Sequence, residues 1–386
     1  MHKLHFLFLI SVFLCAVFMC FYSLGRNQPE RWDEQTNAGV VSELTRTSAP
    51  WILTYNRHPF FEKPPLWYWI TATITKLFGF SNFNLRVTSA LSGFILIMLV
   101  YFLSSAMFSP AAGIISALIL LSTGQLFILN AGGYFSTHNF RSADPDALYI
   151  LFITLSYAFF YFAVQGKQGA LIAASVTAAL GFLVKGPLIL IPFIIYIFYF
   201  LINGNKIQNL PRTVFLSLII FLIIISPWYL TMISIFKHDF INQHLFYHVF
   251  RRITEPLEGH NGGWIFYLYL LTNHQVFPYS LQLLAGMIFI ISFRNFRQKQ
   301  EYLFPLLMIT VILSTVFVMK TRLSWYVLGI YPFAALLLGG LITEILKYLF
   351  NKGKKRKLFK YAEYTTATAL ALIFISNIYS IIIFIL

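Results

Sequence analysis

Apolar residues recur in this 386-residue chain in runs near 4–24, 85–108, 111–131, 147–165, 169–184, 187–203, 213–235, 275–293, 302–319, 325–349 and 364–386. About 20 apolar residues in a helix cross the hydrocarbon core of a bilayer. In that solvent every backbone N–H and C=O must be paired within the segment, so the runs can only be helices. The pattern therefore predicts an all-α polytopic membrane protein of a single domain, 1–386, with about eleven spans. The stretch 66–80 is shorter and aromatic, either a further span or a helix lying in the interface, so the count reaches up to about thirteen. A soluble enzyme and a soluble binding module are both excluded, and 11% charged residues agree, since soluble domains carry roughly a quarter.

The first run follows only His2 and Lys3, is longer than a signal-peptide core and lacks a small-residue cleavage site, so an uncleaved span is expected. No soluble domain is expected after the last span. Cys15 and Cys20 both fall in the first run and read as small apolar residues rather than a disulfide framework or a zinc site.

Loop charges set the orientation. With the N-terminus inside, the inside loops hold Lys167, Lys206, Arg212, Arg294, Arg297, Lys299 and the cluster from Lys352 to Lys360, with Glu301 as the acid within them. That is the positive-inside bias. The net charge of +15 is thereby accounted for as membrane topology, and no nucleic-acid partner is implied. The outside loops are 25–84, 132–146, 185–186, 236–274 and 320–324, and ten of the thirteen acids fall there. So do cations of both types and His58, His138, His244, His248, His260 and His274. Topology does not call for such a mixed set, but a polar site does.

Several groups in those loops can carry chemistry. Asp33 and Glu34, in Arg31-Trp32-Asp33-Glu34, are paired acids that could activate a hydroxyl or hold a cation, or be solvated loop charges. In FFEKPPLWYW, residues 60–69, Pro64 and Pro65 stiffen the chain and Trp67, Tyr68 and Trp69 suit the interface. Glu62 and Lys63 are held there at headgroup level, where Lys63 either meets a lipid phosphate or snorkels as an anchor. Lys185, in GFLVKGPL, is a cation at a helix break on the face where positive flanks are disfavoured, so an anion ligand is the stronger reading. His244 and His248 share a helix face at four-residue spacing, weak evidence for a metal pair. Arg251 and Arg252 could clamp a phosphate with forked donors. The short loop Lys320-Thr321-Arg322-Leu323-Ser324-Trp325-Tyr326 adds two more cations. Separated cations on one face point to a common anion, and in a membrane to a lipid phosphate or pyrophosphate. There is no Walker loop, dinucleotide fingerprint or HExxH motif.

Asp33-Glu34, FFEKPPLWYW, NLRVTSALSG, SADPDALYILF, GFLVKGPL, RRITEPLEGHNGGWIFYL and KTRLSWYVLGIYPFAALL, in that order, resemble the motifs of the aminoarabinose lipid A transferases and the related dolichyl-phosphate-mannose protein mannosyltransferase-like enzymes. The resemblance implies a C-type glycosyltransferase membrane body with periplasmic loop helices, in the bacterial inner membrane, its active site facing the periplasm. The donor would be a polyprenyl-phosphate sugar, on undecaprenyl phosphate, and the acceptor lipid A or another envelope molecule. Carried over by position, Asp33 and Asp144 stand as catalytic acids, and Lys63, Lys185, Arg251 and Tyr326 as donor-phosphate contacts. Glu62 and His260 resemble a pair for a divalent metal such as zinc, with a structural or substrate-positioning role; a Glu–His hydrogen bond without metal is the alternative. The competing function is a lipid transporter or flippase, but such proteins place charges and broken helices near the bilayer midplane, and here the charges gather at one interface.

Overall fold

The computed structural model describes residues 2–128, 137–167, 169–203, 210–263, 265–273, 276–297, 299–353 and 357–386. Lys206, Trp264, His274, and Lys354 and Lys355 of the basic cluster lie outside the described residues. The helices, in chain order, are α1 His2–Phe21, α2 Asp33–Leu44, α3 Leu66–Phe78, α4 Asn82–Met107, α5 Pro110–Leu121, α6 Asp146–Val164, α7 Ala170–Lys185, α8 Ile191–Asn203, α9 Leu210–Phe240, α10 Arg252–Thr254, α11 Phe266–Thr272, α12 Ser280–Ser292, α13 Arg294–Arg297, α14 Gln300–Val318, α15 Tyr331–Gly353 and α16 Lys357–Ile385. Each of the eleven apolar runs becomes a helix, and six helical segments are long and apolar enough to cross a membrane by length and composition. The chain is an all-α polytopic membrane protein; among the described residues its sheet is a single two-stranded hairpin, Thr54–Tyr55 with His58–Pro59.

Local signals set the helix ends. Ser81 and Ser109 accept the N–H groups of Asn84 and Ala112 and so cap α4 and α5, with Pro110 in the first turn of α5. The stretch from Leu66 is helical for 13 residues, roughly 20 Å, too short to cross the core alone. Apolar side chains stay open around the body, among them Phe215 at 61% and Ile375 at 65%, as expected of a surface solvated by lipid.

Inside, α4 packs on α5 and α6, α6 on α7, α7 on α9, and α5 on α15. Without a hydrophobic drive between helices in lipid, close packing needs small residues. Gly339 on α15 lies against Ser116 on α5, whose hydroxyl donates to Ala335 O at 2.9 Å; a Cβ at 339 would collide with it. Gly93 on α4 does the same for the ring of Phe140, which seats the 137–146 loop on the bundle.

One buried ion pair locks the loops together. Arg86 of α4 donates from Nε and Nη2 to the two oxygens of Glu34, at 2.7 and 2.9 Å, and from its guanidinium to the carbonyls of Leu24, Asn27 and Gln28. Glu34 also accepts from the N–H groups of Glu30 and Ala143. Asn37 and Ser89 tie α2 and α4 to the 137–146 loop through the carbonyls of Ala143 and Asp144. The loops at 25–65 and 137–146 thus form one rigid floor at one end of the bundle.

Candidate active site

Asp33 is the first residue of α2, and the chain reaches it through Trp32, whose φ of 72° lies in the left-handed region. His138 has φ 61° as well. Each such non-glycine conformation costs on the order of 1–3 kcal/mol and persists only where the surroundings over-determine it. Here both deliver a side chain to the same point. His138 Nε2 is 3.1 Å from Asp33 Oδ2, and its Nδ1 is 2.6 Å from Asp146 Oδ2. Lys63 Nζ lies 3.4 Å from Asp33 Oδ1 and 3.3 Å from Glu62 Oε1. Lys185, at the last turn of α7, donates to Asp146 Oδ1 at the first turn of α6. Carboxylates and cations alternate along this chain, from Glu62 through Lys63, Asp33, His138 and Asp146 to Lys185.

The electrostatics follow from that alternation. Burial alone would raise the Asp33 pKa, but Lys63 and His138 outweigh it and hold the carboxyl well below the usual range. Burial would likewise raise that of Glu62, and Lys63 with His248 brings it below its ordinary value. Burial disfavours the charged forms of Lys63 and His138; Glu62 and Asp33 still raise the lysine, and Asp146 and Asp33 lift the imidazole to about 9. Asp33 is therefore ionised at neutral pH. Its side chain is 31% exposed, against 5% for Asp146 and 10% for Lys63, so it is the most open group of the three.

Asp144 takes a different place from the one a catalytic acid needs. It is wholly buried. Its oxygens accept from the N–H of His138 at 2.6 Å, the N–H of Asp146 at 3.0 Å and the hydroxyl of Ser142, and burial raises its pKa. The acid two residues on, Asp146, is the one on the chain of charges. The repeated acid in Asp144-Pro145-Asp146, at a helix start, was the available signal for it.

The third loop supplies one wall. After Lys237, with φ 47°, α9 bends into a π-helical stretch, Ile241–Arg251. His244 stacks on Phe240 and sits 2.7 Å from Phe61 O, fixing this stretch against the Glu62–Lys63 turn. The arginine facing inward is Arg252, not Arg251. Arg251 has a half-exposed side chain spent on Glu255 at 2.7 Å and on the Tyr247 ring. Arg252 is 14% exposed and reaches Tyr326 Oη and Glu258 Oε1, each at 3.4 Å. An i,i+1 pair on a helix cannot face one way, and this sequence alone does not say which member points in.

Glu62 and His260 do not form a pair. His260 is 4.0 Å from Glu258, while Glu62 faces Lys63, and no ion pair joins Glu62 to His260 among the described residues. His138, Asp144 and Asp146 do place ligand-type atoms within 4.8 Å of one another. Yet both nitrogens of His138 are engaged with carboxylates, Asp144 accepts three donors, and Asp146 holds His138 and Lys185. No atom of the trio is left unpartnered. A cation there would have to displace Lys185 and a ring proton of His138, which already supply the positive charge, so these residues as arranged do not fit a metal. A separate cavity of about 270 Å³ lies beyond the Glu34–Arg86 pair, lined by Arg26, Asn139 and Arg141, and none of Asp33, Lys63, His138 or Lys185 borders it.

Residues 62–230 match the family model of dolichyl-phosphate-mannose-protein mannosyltransferase. The undecaprenyl phosphate-alpha-4-amino-4-deoxy-L-arabinose arabinosyl transferase of Pseudomonas savastanoi pv. phaseolicola is 27% identical over 358 residues, which cover 89% of this chain and 62% of that one. The chain thus spans less than two thirds of that relative's length. Among solved structures, ArnT from Cupriavidus metallidurans bound to undecaprenyl phosphate aligns with a TM-score of 0.71 at 18% identity, covering 98% of this chain and 74% of that one. The archaeal oligosaccharyltransferase AglB from Archaeoglobus fulgidus, in complex with an inhibitory peptide and a dolichol-phosphate, gives 0.59 at 14% identity, covering 98% and 55%. The chain thus has the fold of ArnT, and in sequence it resembles the undecaprenyl phosphate-alpha-4-amino-4-deoxy-L-arabinose arabinosyl transferases over most of its own length.

Proposed function

We propose that this protein transfers a sugar from a polyprenyl-phosphate donor to a lipid A-type glycolipid or another envelope acceptor, at the periplasmic face of a bacterial inner membrane. The observation that carries the reading is Asp33, an ionised and partly open carboxylate gripped by the buried Lys63 and His138. The resemblance to transferases that use undecaprenyl phosphate supplies the donor class.

An acceptor oxygen attacks the anomeric carbon, the bond from that carbon to the phosphate oxygen breaks, and polyprenyl phosphate leaves with the electron pair. Charge grows on the phosphate oxygens, so cations already in place stabilise the transition state. Lys63 is the first of these, with Lys185, Arg252 and Tyr326 as further candidates. Arg322 Nη1, buried and unpartnered, adds a donor. Asp33 orients an acceptor hydroxyl and takes its proton as the new bond forms. Held well below the ordinary carboxylate range, it is a weak base, so orientation is the larger part of its work. A phosphate acceptor, already ionised, needs no base.

A divalent metal is not called for in this scheme, because a single phosphate meets protein cations. The test is mass spectrometry of envelope glycolipids and glycoproteins from cells with and without the protein. A sugar-bearing species that depends on the protein, and on Asp33, is expected. An unchanged glycan inventory with altered lipid distribution between leaflets would favour transport instead.

A further inference from the structure

We infer that His138 is a positioning residue for Asp33, joining its carboxylate to the buried Asp146–Lys185 pair. The inference rests on the reading of Asp33 as the group that meets the acceptor. It deepens that reading by naming what aims the carboxylate.

The geometry allows His138 one protonation state. Its two ring nitrogens face carboxylate oxygens of two different residues, Asp33 on α2 and Asp146 on α6. A neutral imidazole would turn a lone pair towards one of them; only the imidazolium donates to both. Every charged group around it agrees. Asp144 accepts its main-chain N–H from below, Lys185 balances Asp146, and Lys63 balances Asp33. The pKa lifted to about 9 is consistent with this.

The ring itself is not free to turn. Trp325, from the 3-10 turn Ser324–Ile330, lies flat on it, with centroids 3.7 Å apart and planes within 11°. An indole face over an imidazolium is a cation–π contact as well as a lid. The left-handed backbone at His138 and the Gly93–Phe140 contact beneath the same loop hold it from the chain side. Asp33 sits at a helix start with a third of its surface open, so its second oxygen owes its direction to His138. Lys63 cannot replace this: its ammonium lies by the other oxygen, Oδ1, at 3.4 Å, and is shared with Glu62.

The test uses the full chain in detergent or nanodiscs. Kinetics use the transfer reaction that the envelope comparison identifies, and undecaprenyl phosphate is the binding probe. His138→Gln presents one carbonyl and one amide and cannot donate to both acids. Its kcat should fall about 10- to 100-fold, the range found when a partner that orients a reacting group is lost. The donor KM and the affinity for undecaprenyl phosphate should stay within about twofold of wild type. Wild-type kcat in His138→Gln would overturn the inference, and so would a loss of undecaprenyl phosphate affinity matching the loss of rate. A divalent ion that wild type binds and His138→Gln has lost would make His138 a metal ligand and overturn it too. If His138→Gln does not fold, nitrogen-15 NMR of histidine-labelled wild type decides. Both ring nitrogens of the resonance perturbed by Asp33→Asn should be protonated at pH 7.5, and a neutral ring refutes the bridge. Asp33→Asn also separates the two readings. Full activity in Asp33→Asn refutes the role of the site, whereas an inactive Asp33→Asn beside a fully active His138→Gln refutes only the bridge.

Discussion

The floor of the site and its wall are made of similar residues in different states. In the floor, built from the loops at 25–65 and 137–146, charges are buried, alternate in sign and are held from several sides. In the wall, from Arg251 to His260, charges pair at the surface, as in Arg251–Glu255 with both side chains about half exposed. The same ion pair means different things in the two places. In water it contributes at most about 1 kcal/mol; removing one partner of a buried pair leaves an uncompensated charge and costs several times more. Function and stability should therefore both concentrate in the floor.

The largest effect is expected at Asp33. Asp33→Asn keeps the size and loses the charge, and transfer should drop by about three orders of magnitude, the combined loss of orientation and of proton acceptance at the acceptor hydroxyl. Measured turnover within tenfold of wild type would break the assignment. Lys63→Ala should follow, with a loss of on the order of 2–4 kcal/mol in the transition state, or roughly two to three orders of magnitude in rate. Lys63→Arg should recover part of this, since the charge remains but the reach and fork change. Sugar transfer per mole of correctly inserted protein reads both variants.

Glu34, the next residue after Asp33, should act on stability rather than on chemistry. Glu34→Gln leaves Arg86 buried without its charge partner and should cost about 3–5 kcal/mol, seen as a lower Tm in detergent. A Glu34→Gln protein as stable as wild type would show that the floor is not locked by this pair.

The floor should also set the pH response. His138 is raised to about 9, so its contribution is complete below its unfolded value near 6.5 and is lost as pH rises through about 9. Asp33 is lowered, so its contribution is complete above its unfolded value near 3.9 and is lost as pH falls below that. Thermal unfolding from pH 4 to 10 should show a plateau with an alkaline fall, and His138→Gln should flatten that fall.

The smallest effects belong to the wall, and they sharpen the contrast within it. Arg252→Ala should raise the donor KM about tenfold, as expected for one charged hydrogen bond at a partly open site. Arg251→Ala should stay within about twofold, because its partner is a surface glutamate. Equal losses for the two arginines would mean that the π-helical stretch faces the site differently.

Much of this was legible in the chain itself. The apolar runs became helices because length and hydrophobicity leave a lipid-solvated backbone no alternative. The loops singled out by their mixed charge did converge: Lys63 meets Asp33, and Lys185 joins the same network. Other assignments needed coordinates. His138 looked like one loop histidine among six, and Trp325 drew no reading of its own beside the cations of its loop. Asp144 was carried over by family position as a catalytic acid, whereas Asp146 is the one that escapes the hydrogen bonds of its own turn. Glu62 and His260, matched through the family resemblance, each face another partner, Lys63 and Glu258.

Composition and spacing along the chain determined the class of fold, the polar end of the bundle and the presence there of acids and cations, because partition into a bilayer depends on each segment's own residues. Which acid faces out, which arginine faces in and which histidine bridges two carboxylates were decided only by the tertiary structure, because those choices depend on contacts between segments up to a hundred residues and more apart, such as Asp33 with His138 and His138 with Trp325.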